Sequence, residues 1–158
     1  MSQTTRRQAL ATIAAAGAAL AASSYEPKAF KPKDFELLTA LAETIIPRTD
    51  TPGAAQAGVP RMLDEDAQQS RSLKAKLDGA LKLFRKDKFL DQDEAGRVAL
   101  MTRYMNDNGK RGEAFRTIKN ATIDRYYSTE AGLVEELGYS GGTYLASFPG
   151  CQHPEHGA

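Results

Sequence analysis

The chain has 158 residues, 21 Lys+Arg against 20 Asp+Glu, and one cysteine, Cys151. That length suits one domain with a core of its own. The near-zero net charge removes the electrostatic case for binding nucleic acid, and a lone thiol excludes an internal disulfide.

Residues 1–24 carry the pattern of an export signal. Arg6 and Arg7 are the only charges before Glu26 and stand just ahead of the alanine-rich run Ala11 to Ala22. A positive start, a short apolar stretch and small residues for cleavage define such a leader, and paired arginines define its twin-arginine class. The apolar run is about a dozen residues, short of the roughly 20 a spanning helix needs. Cleavage is expected near Ala22 to Ser24. An uncleaved leader acting as a membrane anchor, or an N-terminal amphipathic helix, is the alternative. Ala9 stands where such leaders usually carry Phe. Without Arg6 and Arg7 the balance becomes 19 basic against 20 acidic side chains. The twin-arginine translocase carries folded cargo, often with a cofactor in place, so the destination expected is the periplasm.

Residues 25–158 read as a single helical domain. Tyr25 to Pro32 is a linker. A helix starts near Lys33 or Asp34 with Phe35, Leu38, Leu41, Ala42 and Ile45 on one face, and Pro47 ends it. Pro47 to Val59, with two prolines and two glycines, is a surface loop. In it Asp50 and Thr51 can bond their own turn. Pro60 opens a second helix with Met62, Leu63 and Ala67 inward; Arg61 and Asp64 read as an ordinary surface pair. Arg71 to Phe89 is a longer helix with a Leu73, Leu77, Leu81, Phe84 stripe and a solvated basic face. Asp91 to Glu94 forms a capping box for a helix with Val98, Met101, Tyr104 and Met105 inward. A calcium loop fails there, because Ala95 and Thr102 stand where ligands are required. After a turn at Asn106 to Gly109, Arg111 to Tyr127 is helical, with one of Tyr126 and Tyr127 in the core. Ser128 or Thr129 caps a short last helix that ends at a left-handed Gly138. The fold expected is all-α, an irregular bundle of five or six helices with long loops and an extended C-terminal tail.

That tail, from Tyr139 on, is aromatic and glycine-rich, and holds Cys151 with the only two histidines, His153 and His156. Thiolate and imidazole suit zinc or copper, so Cys151, His153 and His156 are candidate metal ligands, without a fourth in sight. The plainer reading is a tail that folds into a groove on its own helices or into a partner. A third sets it near a partner's electron-exit route. The chain has no Gly-x-Gly-x-x-Gly for a flavin pyrophosphate, no Cys-x-x-Cys-His for haem, and no Gly-x-Ser-x-Gly nucleophile turn.

Three blocks carry a family resemblance. The first is Leu41-Ala42-Glu43-Thr44-Ile45-Ile46-Pro47-Arg48-Thr49-Asp50-Thr51-Pro52-Gly53-Ala54, continued by Gly58-Val59-Pro60. The second is Thr122-Ile123, Tyr126-Tyr127-Ser128-Thr129-Glu130 and Glu136-Leu137-Gly138-Tyr139. The third is Phe148-Pro149-Gly150-Cys151 with His153-Pro154-Glu155-His156. On them the chain resembles the gluconate 2-dehydrogenase subunit 3 family, the small subunit of periplasmic flavin-dependent sugar and sugar-acid dehydrogenases. The resemblance implies a large flavoprotein partner of the glucose-methanol-choline type, which holds FAD, and often a cytochrome c subunit that accepts electrons. It implies a subunit with no cofactor and no catalytic residue of its own, aiding maturation and export of the large one. Partner contacts are expected from Pro47, Arg48, Asp50, Pro52 and Gly53 in the loop. In the tail they are expected from Tyr139, Tyr144, Phe148, Pro149, Cys151, His153 and His156. The competing expectation is a free-standing periplasmic protein that binds metal, or acts as a chaperone, through its Cys/His motif.

Overall fold

The computed structural model describes residues 25–141, and these are all-helical, without a strand among them. Five α-helices form the body: α1 Pro32–Ile45, α2 Val59–Gln69, α3 Arg71–Lys86, α4 Glu94–Met105 and α5 Lys110–Tyr126. A 3-10 turn at Phe89–Asp91 joins α3 to α4, and a π-helical turn at Ala131–Glu136 follows α5. Helix α5 packs against each of the other four and is the axle of the bundle. The leader with Arg6 and Arg7, and the tail with Tyr144, Phe148, Pro149, Cys151, His153 and His156, lie outside the described residues.

Local chemistry sets most boundaries. Pro32 occupies the first turn of α1, where a missing N–H costs nothing, so the helix begins just before the expected Lys33. It buries Leu37, Leu38, Leu41 and Ala42, and Ile46 closes it by donating to the Ala42 carbonyl. Gly58, at φ 78°, turns the chain into α2. The Ser70 hydroxyl accepts from the Leu73 amide at 3.2 Å and starts α3.

Helix α3 stops at Lys86, short of the expected Phe89. Lys88 leaves the helical region at φ 54° and reverses the chain. The reason is aromatic packing. The Phe84 and Tyr104 rings stack 4.2 Å apart, and the reversal brings Phe89 edge-on to Phe84 at 5.7 Å. All three rings are fully buried, each contributing about 1.5–3 kcal/mol. A continuous helix would carry Phe89 past this cluster.

Two expectations for α4 fail. Its cap is Asp93, whose Oδ1 accepts from the Gly96 amide at 2.9 Å, while Asp91 ends the 3-10 turn. Its buried side chains are Leu100, Met101 and Tyr104, whereas Val98 and Met105 are 51% and 52% exposed. The helix is rotated so that Leu100 takes the inward place expected of Val98. Beyond α5 the last helix does form, but wound as a π turn: the Leu137 amide reaches back to the Gly132 carbonyl. The Thr129 hydroxyl accepts from the Gly132 amide, and Gly138 takes φ 64° as its position requires.

The largest correction concerns Asp64. It is fully buried, not on the surface. Its carboxylate accepts from the Tyr25 hydroxyl at 2.9 Å and from the amides of Lys28, Ala29 and Phe30 at 2.8, 3.0 and 3.0 Å. Arg61 pairs instead with Glu65 at 2.9 Å. The segment read as a linker is therefore clasped to α2. Burial and the Asp64 carboxylate push the Tyr25 hydroxyl up to about 12.

Candidate functional site

The loop between α1 and α2 is tied from beneath and exposed on top. Glu43, on the last turn of α1, accepts from the Arg48 amide at 3.2 Å and from the Ala55 amide at 3.0 Å. The Ala54 amide donates to the Ile46 carbonyl at 2.9 Å, and the Thr49 amide to the Thr51 carbonyl at 3.1 Å. From the last turn of α5 the buried Tyr126 hydroxyl donates to the Pro52 carbonyl at 2.8 Å. These bonds satisfy backbone groups that a loop would otherwise leave to water. Gly53 is buried against the brace, and the space its side chain would need is already filled.

On the outer side, Pro47, Arg48, Thr49 and Asp50 are exposed. The loop residues expected at a partner interface thus divide by position. Pro47, Arg48 and Asp50 form the outer crest, the half-buried Pro52 meets Tyr126, and Gly53 makes room for Glu43. Tyr139 is half-buried near the end of the described chain, and its amide donates to the Leu133 carbonyl.

A groove lies on each side of the crest, with Pro47 on the wall of both. The first, about 790 Å³, runs between α1 and the start of α4, past Phe35, Thr39, Glu43, Leu90 and Val98. Arg97 borders it. One guanidinium nitrogen donates to the Leu90 carbonyl at 3.2 Å, and the group lies 5.7 Å from the Phe89 ring centre. The second groove, about 570 Å³, has Ile45, Ile46, Ile123 and Tyr127 as apolar lining, with Asp50, Glu135 and Glu136 also on its walls. The Tyr127 hydroxyl donates to Glu136 at 2.8 Å, which together with burial raises its pKa.

Glu43 belongs to the first sequence block, where it carries no expected contact. A carboxylate on the last turn of an apolar helix, just before a Pro/Gly loop, is the signal that marks it. Tyr126 fills the core position expected of one tyrosine of the pair. Its bond to Pro52, 74 residues away in the sequence, has no local signature. Among the described residues no three His, Cys, Asp or Glu side chains gather as a metal site, and no helix is long and apolar enough to cross a membrane. The Cys151, His153 and His156 candidates lie outside those residues.

Fold and site together define a helical domain with a braced loop crest flanked by two open grooves. The chain belongs to the gluconate 2-dehydrogenase subunit 3 family, whose family model matches residues 32–144. The match starts in the first turn of α1 and takes in the crest, both grooves and Tyr139. Neither a curated protein nor a solved structure matches this chain. The family is that of a dehydrogenase subunit, consistent with an accessory role.

Proposed function

We propose that this chain is the non-catalytic small subunit of a periplasmic flavin-dependent dehydrogenase acting on a sugar, glycoside or sugar acid. Its large partner, of the glucose-methanol-choline type, binds the FAD. The small subunit stabilises the flavoprotein and supplies the leader, Arg6 and Arg7, that moves both through the twin-arginine translocase. Docking runs through the crest at Pro47, Arg48 and Asp50 and through the tail residues Phe148, Pro149, Cys151, His153 and His156.

The family match carries this reading. The build of the crest supports it: a loop held by Glu43 and Tyr126 keeps its shape before a partner arrives, which lowers the ordering cost of association. The test is export. Replacing Arg6 and Arg7 with Lys should strand flavin-dependent dehydrogenase activity in the cytoplasm. Normal periplasmic activity from that strain would refute the carrier role.

A further inference from the structure

The second groove has the character of a site for a cationic, apolar segment. Its charged wall residues are Asp50, Glu135 and Glu136, and among the described residues no Lys, Arg or His lines it. Glu136 is held by the Tyr127 hydroxyl. Asp50 and Glu135 are exposed. Beside them lie Ile45, Ile46, Ile123 and the half-buried Tyr127 ring, apolar surface on a wall whose three charged groups are all carboxylates. The first groove differs, because Arg48 and Arg97 stand there among Glu36, Glu43 and Glu94.

We infer that the second groove receives a Lys- or Arg-bearing apolar segment of the dehydrogenase's large subunit. The inference rests on the functional reading above and goes further, by assigning the face and the chemistry it selects. Complementary charge would steer the encounter and fix its register, while burial of the isoleucines and Tyr127 would supply the cohesion. This chain's own C-terminal residues are the competing occupant, and charge argues against them. Between Gly142 and Ala158 there is no Lys or Arg, and Glu155 adds a negative charge.

The test uses the full chain co-expressed with its dehydrogenase and purified through a tag on this chain. A photo-cross-linking p-benzoylphenylalanine replaces Thr49, on the groove wall. The expected product joins Thr49's position to a large-subunit segment that contains Lys or Arg beside apolar residues. In parallel, D50K/E135K should weaken association at least about tenfold, and raised salt should weaken the unaltered complex. E36K, in the other groove, should leave it intact. Circular dichroism and thermal unfolding of each variant establish that the helices persist. A cross-link to residues 142–158, no cross-link within an intact complex, or full binding by folded D50K/E135K would overturn the assignment while leaving the subunit role standing. If the unaltered chain brings down no flavoprotein, the functional reading fails first and this assignment with it.

Discussion

The Glu43 carboxylate occupies the space that a side chain on Gly53 would take. A Cβ at Gly53 would lie 2.7 and 2.8 Å from the two Glu43 oxygens and 2.6 Å from the Arg48 amide nitrogen. Two residues of one sequence block thereby determine each other: the carboxylate holds the loop, and the glycine lets it approach.

Gly53→Ala is expected to destabilise the protein by about 1–3 kcal/mol, as overpacking does. Glu43→Ala orphans the Arg48 and Ala55 amides and is expected to cost about 1–3 kcal/mol for the more buried of them. The double variant should cost less than the sum, because removing Glu43 clears part of the clash at position 53. Urea unfolding of the four proteins gives the coupling, and strict additivity would disprove the shared-space account.

Asp64→Ala leaves three backbone amides and the Tyr25 hydroxyl without their acceptor. A loss of about 3 kcal/mol or more follows. Asp64→Asn keeps the volume and one acceptor oxygen, so it should fall between. A near-neutral Asp64→Ala would mean that residues 25–30 are not fastened as described.

Stability should fall at both ends of the pH scale. The Tyr104 hydroxyl donates to Asp87 at 3.0 Å, and burial with that carboxylate pushes its pKa from 10.0 up to about 12. The unfolded chain ionises first, so this stabilisation is whole below pH 10 and disappears as pH climbs toward 12. It amounts to something on the order of 2 kcal/mol. Tyr104→Phe should flatten that alkaline limb, although Tyr25 titrates in the same direction. For Asp87, burial pulls the pKa upward, but hydrogen bonds from Arg111 and Tyr104 outweigh it and hold it below the usual carboxylate value. Its contribution is complete above that value and lost as acid drives protonation. Asp87→Asn should remove this part of the acid limb in a denaturation-midpoint series.

Helix caps give a sharp local contrast. Ser70→Ala and Asp93→Ala should each cost about 1 kcal/mol, since each removes an acceptor from a first-turn amide. Asp91→Ala should fall within about half a kcal/mol of neutral, because the Asp91 side chain caps no helix. The reverse order would restore the capping box read from the sequence.

Spacing along the chain made the bundle legible. Leu38, Leu41, Leu77, Leu81 and Phe84 are buried where three-four periodicity put them. What it missed has a common cause. Asp64 looks like half of a surface pair until Lys28 to Phe30 fold over it. Asp93 looks like the middle of a capping box until Phe89 breaks the helix before it. In each case a contact across the fold outweighed a local preference worth a few tenths to about one kcal/mol. The crest was legible as an unusual string, but its brace was not, since Tyr126 and Pro52 meet only after the bundle closes.

That meeting couples two distant stretches of chain. Because the Tyr126 hydroxyl grips the Pro52 carbonyl, a molecule that clamps the outside of the crest also restrains the last turn of α5. Deuterium uptake at the Arg125 and Tyr126 amides would then slow upon capture. Tyr126→Phe, which severs the tie and keeps the ring, should let that turn breathe at its unclamped rate.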